Sequence, residues 1–193
     1  MKRICVFCGS NRGNLPSYEE AARSLAKILA RQKIGLVFGG GQVGLMGVIA
    51  DAMLAEQGEA LGVIPKALFK KEVAHGGLTR LYEVDSMHER KQLMYDLSDG
   101  FIALPGGWGT LDELCEIVTW SQLGIHQKPC GLLNVEGYFD PLLEFLDGCT
   151  RKEFIRREHR NLLLVDEAPE ALLKKMKSYR PPELQKWIEE NGA

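Results

Sequence analysis

Short apolar runs alternate with amphipathic stretches along almost the whole chain. The apolar runs predict strands at residues 2–8, 34–38, 60–64, 79–84, 100–104, 130–134 and 162–165. The stretches with helical spacing predict helices at residues 18–32, 44–56, 87–98, 110–123, 141–149 and 169–178. Residues 66–78 have loop composition. This alternation is typical of a Rossmann-like α/β fold, an open, mostly parallel sheet with helices on both faces.

The length and charge of the chain narrow the class of protein. It has 193 residues, a hydrophobic fraction of 45% and a net charge of −2. We expect one nucleotide-binding domain at residues 1–180 and a C-terminal tail at 181–193, where Pro181 and Pro182 break the pattern. No basic excess favours nucleic acid, and no apolar run approaches the ~20 residues of a membrane helix. The sequence therefore predicts a cytoplasmic protein that binds neither nucleic acids nor membranes.

The five cysteines do not indicate a disulfide framework or a metal centre. Cys5 and Cys8 form a C-x-x-C pair, but they fall in a predicted strand and point to opposite faces. No second pair completes a zinc site. We expect Cys5 and Cys8 to be buried structural residues, and we expect no metal.

Three glycine-rich segments each follow a predicted strand. They read CGSN at 8–11, GGGQVGLMG at 39–47 and PGGWGT at 105–110. In an open α/β sheet these positions lie at the ligand-binding edge, and glycine lets a backbone approach an anion closely. Tight turns alone are the alternative explanation, but three at one edge favour a phosphate site. The candidate binding residues in these segments are Gly9, Ser10, Gly39, Gly40, Gly41, Pro105, Gly106, Gly107, Trp108, Gly109 and Thr110.

The same segments argue against a dinucleotide or a nucleoside triphosphate. Gly39, Gly41 and Gly44 match G-x-G-x-x-G, but the next strand ends at Ile64-Pro65 without the acidic residue that holds a ribose hydroxyl. No glycine is followed by Lys-Ser or Lys-Thr, as a triphosphate loop requires. A mononucleotide is therefore favoured.

Two predicted helices carry charges at unusual positions. Arg90 falls on the apolar stripe of residues 87–98, where burial without a partner is costly; a snorkelling or internally paired arginine is the alternative. Glu113 and Glu116 share a helix face with Trp120, which fits a pocket lining. Thr110 and Glu113 also fit a capping box, so capping and catalysis both stay open for Glu113.

Two motifs in this order resemble one family. Residues 105–113 match P-G-G-x-G-T-x-x-E, and residues 87–91 match M-x-x-R-K. With the glycine segments at 7–10 and 39–41, the chain resembles the LONELY GUY (LOG) family of cytokinin riboside 5′-monophosphate phosphoribohydrolases. Members of this family were often labelled lysine decarboxylases.

The resemblance implies a homodimeric N-glycosyl hydrolase without a cofactor. Its substrates would be adenosine 5′-monophosphates, with or without an N6 substituent, cleaved to the free base and ribose 5-phosphate. It implies that Arg90 and Glu113 are catalytic and that Glu72, Lys91 and Thr119 contact substrate. Glu116 is a candidate contact to a ribose hydroxyl. The alternative is a non-catalytic nucleotide sensor or carrier on the same fold.

Overall fold

A single parallel sheet organises the part of the chain that the structure describes. The structure, a computed structural model, describes residues 1–69 and 74–182. Within these ranges, seven strands pair in the order β4-β3-β2-β1-β5-β6-β7, and every pair is parallel. The strands are β1 Arg3–Phe7, β2 Gly35–Phe38, β3 Ala60–Pro65, β4 Arg80–Val84, β5 Phe101–Ala103, β6 Cys130–Leu133 and β7 Leu163–Asp166.

Helices cover both faces of this sheet. They are α1 Pro16–Arg31, α2 Gly44–Ala55, α3 Lys66–Phe69, α4 Met87–Asp96, α5 Trp108–Gln122, α6 Asp140–Arg151, α7 Arg157–Arg160 and α8 Pro169–Ser178. Leu25, Ile49 and Leu172 of α1, α2 and α8 belong to one core cluster. Met94 and Leu114 of α4 and α5 belong to a second cluster. The predicted Rossmann-like α/β class is therefore confirmed.

Short elements account for most differences from the predicted pattern. The loop predicted at 66–78 begins with the one-turn helix α3, and neither α7 nor a 3₁₀ helix at Val135–Gly137 was predicted. Within α5, Cys115 is exposed, whereas Ile117 is buried in the core. Three- and four-residue elements have too few turns to produce a periodic signal. The domain boundary near residue 180 stays a prediction.

The turn after β6 is organised by one buried amide side chain. Asn134 donates from Nδ2 to Oδ1 of Asp140 at 2.7 Å, and its Oδ1 accepts the backbone N–H of Phe139 at 2.7 Å. Its side chain thus joins the end of β6 to the start of α6. This turn carries Tyr138, whose hydroxyl reaches Gly106 in the turn after β5.

We predict that Asn134→Ala lowers the free energy of unfolding by about 1–3 kcal/mol, because the buried N–H of Phe139 loses its acceptor. Chemical denaturation measures this change. The matched control is Asn161→Ala, since Asn161 is exposed and its loss should change stability by less than about 0.5 kcal/mol. Equal effects of the two substitutions would contradict the role of Asn134.

Candidate functional site

The order of strands in the sheet brings the three glycine-rich turns together. β2, β1 and β5 are neighbours, so the turns at their carboxyl ends meet at one edge. The N–H of Gly9 donates to the carbonyl of Pro105 at 3.0 Å, and the N–H of Leu45 donates to the carbonyl of Gly9 at 3.0 Å. The chain order also reverses direction between β1 and β5, where open α/β sheets bind their ligands. The predicted meeting of these turns is therefore confirmed.

Two glycines are required by how closely the turns approach each other. Gly44 has a φ of +60°, and a Cβ there would overlap the backbone of Ser10. A Cβ at Gly106 would come within 2.8 Å of the backbone nitrogen of Gly9 in the first turn, and it would also overlap Oγ1 of Thr110. The glycine composition of these segments thus reflects backbone packing as well as access for a ligand.

An open cavity of about 240 Å³ lies against these turns. We call it the Arg90 cavity. It is lined by Val6, Cys8, Gly9, Ser10, Gly39, Met46, Leu68, Met87, Arg90, Gly107, Trp108, Gly109, Thr110, Asp112 and Glu113. The two residues predicted to be catalytic therefore share one cavity with parts of all three glycine segments.

The guanidinium of Arg90 is buried beneath this cavity. Arg90 is 6% exposed, and its Nη2 donates to the carbonyl of Gly39 at 3.2 Å. A Cβ at residue 39 would overlap Nη2 and come within 3.2 Å of Sδ of Met46. Its Nε is buried without a hydrogen-bond partner among the described residues, so the guanidinium retains an unused donor. The predicted burial of Arg90 on the core side of α4 is confirmed.

Glu113 enters the cavity from α5, and it does not belong to a capping box. α5 begins at Trp108 with Gly107 as its N-cap, so Thr110 lies inside the first turn and Glu113 in the second. The capping interpretation of Thr110 and Glu113, left open by the sequence, is wrong for this reason. Glu113 is half-buried, and its carboxylate lies on the cavity wall.

The charges of Arg90 and Glu113 both affect the pKa of a buried thiol in β1. Burial raises the pKa of Cys5 well above its usual value; the negative charge of Glu113 adds to this rise and the positive charge of Arg90 opposes it. Burial and then the charge of Glu113 likewise raise the pKa of Cys8. Both thiols are therefore protonated at neutral pH and are poor nucleophiles. Cys5 is buried as predicted, whereas Cys8 is half-buried and lines the cavity.

The first turn of α5 presents backbone amides beside the cavity. Helix geometry leaves the first N–H groups of α5 without a carbonyl partner inside the helix, and the helix dipole makes this end positive. Thr110 is buried, and Gly107 and Gly109 are exposed at the cavity wall. Trp108 is 90% exposed at the same place. This end of α5 can therefore accept an anion.

Three predicted substrate contacts lie outside the Arg90 cavity of this chain. Nζ of Lys91 pairs with Asp112 at 2.8 Å and with Glu116 at 3.3 Å. Burial lowers the pKa of Lys91, but the two carboxylates outweigh this effect and the pKa is raised. Thr119 is exposed and donates to the carbonyl of Cys115 at 2.7 Å. Their contacts with substrate stay predictions.

The other predicted residues are placed as follows. Pro105 and Gly106 line a second cavity of about 200 Å³, which we call the Tyr138 cavity. Gly40 has a φ of +76°, and its carbonyl accepts the N–H of His75 at 3.0 Å. Gly41 pairs with Ala74. Glu72 lies outside the described residues.

Sequence reasoning missed several cavity residues. Met46, Leu68 and Met87 line the Arg90 cavity, and Tyr138 lines the other one. Met46 lies inside the second glycine segment and Met87 lies three residues before Arg90, so their positions gave a signal. Nothing in the sequence placed Tyr138 next to Gly106, because this contact joins two turns 32 residues apart.

The described residues form neither a metal-binding cluster nor a membrane-spanning helix. No group of three or more histidines, cysteines, aspartates or glutamates in residues 1–69 and 74–182 is arranged to hold a metal ion. None of the helices in the same ranges has the length and apolar character that crossing a bilayer demands.

Residues 46–176 match a family model described as "Possible lysine decarboxylase". Three curated relatives carry a more specific name. LOGL6 of Oryza sativa subsp. japonica, "Probable cytokinin riboside 5′-monophosphate phosphoribohydrolase", is 47% identical over 93% of this chain and 72% of its own length. LOG1 and LOG6 of Arabidopsis thaliana, both named as cytokinin riboside 5′-monophosphate phosphoribohydrolases (LOG6 as a probable one), are each 48% identical over 93% of this chain and over 84% and 90% of their own lengths.

Solved structures share the fold at low sequence identity. The molybdenum cofactor binding protein of Rippkaea orientalis superposes with a TM-score of 0.68 at 22% identity, covering 92% of this chain and 97% of its own. The molybdenum cofactor carrier protein of Chlamydomonas reinhardtii gives 0.69 at 18% identity, covering 92% and 98%. At these identities the likeness shows the fold alone.

We predict that Gly39→Ala lowers the free energy of unfolding by about 1–3 kcal/mol, because its methyl group overlaps the buried guanidinium of Arg90. The control Gly148→Ala lies inside α6, where the added Cβ would make only an ordinary contact with Nη2 of Arg151 at 3.7 Å, and it should be neutral or stabilising by up to about 1 kcal/mol. Denaturation of both variants measures this difference.

A double-mutant cycle isolates the cause of the Gly39 effect. In an Arg90→Ala background the overlap is absent, so Gly39→Ala should cost clearly less than it does alone. Additive costs would mean that the strain at residue 39 does not come from Arg90.

Proposed function

We propose that this chain, which belongs to the family of cytokinin riboside 5′-monophosphate phosphoribohydrolases, hydrolyses the N-glycosidic bond of adenosine 5′-monophosphates. The observation that carries the proposal is the shared cavity of Arg90 and Glu113 at the N-terminus of α5. The products are the free base and ribose 5-phosphate. The substrate class includes N6-substituted adenosine monophosphates and AMP itself.

The reaction places opposite charges on the two halves of the substrate. The bond between C1′ and the base nitrogen breaks with its electron pair on the base, while a water oxygen bonds to C1′. One proton of the water is lost and the departing base gains one. A catalyst must therefore stabilise positive charge at C1′ and negative charge on the base.

We assign to Glu113 the stabilisation of positive charge at C1′. A carboxylate fixed near the anomeric carbon stabilises the developing cation and can orient or deprotonate the attacking water. Its half-buried position on the cavity wall supports this role, since a partly desolvated carboxylate interacts strongly with nearby charge.

Arg90 is the group we assign to the leaving base or to the orientation of Glu113. A guanidinium is too weak an acid to release a proton easily, so its contribution is electrostatic. Its bond to the carbonyl of Gly39 holds the side chain in place, and its buried Nε has no hydrogen-bond partner among the described residues.

The first turn of α5 is the place we assign to the 5′-phosphate. The amides of residues 107–110 and the positive end of the helix dipole suit a phosphate. Gly9, Ser10 and Gly39 line the same cavity. A phosphate held there would make nucleosides without a phosphate poor substrates.

The decarboxylase description of the family does not fit the residues of this cavity. Decarboxylation of lysine by pyridoxal phosphate needs a lysine that forms a Schiff base with the cofactor. No lysine is among the described residues that line the Arg90 cavity. The cationic residue there is Arg90, which cannot form that linkage.

The reaction is tested by incubating the purified chain with AMP, an N6-substituted AMP and adenosine. We predict release of the base from both monophosphates and little from adenosine, measured by chromatography. Glu113→Gln should lower kcat by roughly 10²–10⁴-fold, since the charge that stabilises C1′ is lost. It should retain affinity for AMP, because the helix terminus that binds the phosphate is unchanged.

The control for this experiment is Glu20→Gln, which alters an exposed carboxylate on α1 and should leave kcat and KM unchanged. Binding of AMP by the unaltered chain without any release of base would favour the sensor or carrier alternative. Normal turnover by Glu113→Gln would show that the assignment of Glu113 is wrong.

We also propose that the chain forms a homodimer through α6. Among the described residues, none in α6 is fully buried, and its leucines at 142, 143 and 146 pack against the core while only partly buried. Phe145 of the same helix is 68% exposed, and Phe154 after it is 83% exposed. An apolar surface of this kind is typical of a protein–protein interface.

We predict that light scattering with size-exclusion chromatography gives twice the 21.5 kDa mass of one chain. Phe145→Glu should shift the protein toward the monomer, because a charge would be buried in the interface. The control is Glu144→Gln, which removes the charge of an exposed carboxylate on the same helix. A monomer for the unaltered chain, or a dimer unaffected by Phe145→Glu, would contradict the proposed interface.

A further inference from the structure

The peptide unit between Gly106 and Gly107 lies between the two cavities. Gly107 lines the Arg90 cavity and also the Tyr138 cavity, whereas Gly106 and Tyr138 line only the second. Neither residue 106 nor residue 107 has a side chain, so steric contacts do little to fix the rotation of this peptide plane. Some other interaction must determine which way its N–H points.

Tyr138 supplies that interaction. Its hydroxyl donates to the carbonyl oxygen of Gly106 at 2.8 Å. The ring is held edge-on against Tyr18 at 5.8 Å and against Phe139 at 4.8 Å between centroids. The backbone N–H of Tyr138 bonds the carbonyl of Val135 at 3.0 Å, so the residue is anchored at both ends.

Peptide planarity transmits this contact to the other side of the turn. In a trans peptide the carbonyl and the following N–H point in opposite directions within one plane. A Gly106 carbonyl held toward Tyr138 therefore directs the N–H of Gly107 away from Tyr138 and the second cavity. Gly107 also lines the Arg90 cavity, so its N–H is directed toward that cavity.

We propose that Tyr138 is a positioning residue, which aims the N–H of Gly107 at the substrate phosphate by holding the carbonyl of Gly106. This inference rests on the proposed function for the identity of the anion. Tyr138 itself belongs to the turn after β6 and acts through the backbone of the β5 turn. Without the Tyr138 hydroxyl, the peptide plane between Gly106 and Gly107 rotates. The phosphate then loses one preorganised hydrogen-bond donor.

The test is Tyr138→Phe, which keeps the ring and its packing but removes the hydroxyl. One neutral hydrogen bond of this kind corresponds to roughly a 3- to 10-fold loss of affinity. We expect KM for AMP to rise by that factor while kcat changes little, because the phosphate is bound alike in the ground state and the transition state. The control is Tyr82→Phe, on the edge strand β4 at the far side of the sheet.

A binding measurement separates this inference from the proposed function. Calorimetry with AMP in the Glu113→Gln background needs no turnover and should give the same 3- to 10-fold loss on adding Tyr138→Phe. If the unaltered chain releases no base but this loss is found, the proposed reaction fails and the positioning role stands. If turnover is found but affinity and KM are unchanged, or kcat falls at constant KM, the positioning role is overturned.

A crystal structure of Tyr138→Phe distinguishes positioning from direct contact between the hydroxyl and the phosphate. We expect the carbonyl of Gly106 to turn away from residue 138 in the variant. A lower affinity with the Gly106–Gly107 peptide unchanged would overturn the proposal.

Discussion

The site depends on the close approach of three backbone turns at the carboxyl ends of β2, β1 and β5. Gly9 and Pro105 share a hydrogen bond, Gly44 lies against Ser10, and Gly106 lies against the backbone of Gly9. A side chain at Gly44 or Gly106 would force the turns apart. The cavity, the position of the α5 N-terminus and the depth of Arg90 all follow from this contact, because each belongs to one of the three turns or packs on it.

The same contact brings two opposite charges to the base of the cavity. Arg90 is anchored to the second turn through the carbonyl of Gly39, and Glu113 projects from the helix that begins at the third. Both charges act on the pKa of the buried thiol of Cys5 in β1. A buried cation with an unused donor and a half-buried carboxylate are costly to maintain, and active sites are where such arrangements concentrate.

The sequence predicted the fold and part of the site. Alternating apolar runs predicted the parallel sheet, and the position of Arg90 on an apolar stripe indicated burial, with a snorkelling or internally paired arginine as the alternative. The sequence could not decide where one pattern had two explanations. Thr110 and Glu113 match a capping box, but α5 begins at Trp108, so neither residue is at a capping position. The sequence also could not find Tyr138, because a contact between turns after different strands leaves no periodicity in either segment. Glu72 falls outside the described residues, so its predicted contact stays untested.

Proteins with this fold include carriers as well as hydrolases, so the fold leaves the chemistry open. A carrier needs a surface that binds its ligand in one state. A hydrolase needs groups whose interaction grows as the C1′ bond breaks, which are useless to a carrier and costly to bury. Glu113 lines the same cavity as Arg90, and Arg90 requires a glycine at residue 39 to fit. A chain that only carried a nucleotide would have no reason to retain both, and this asymmetry favours catalysis.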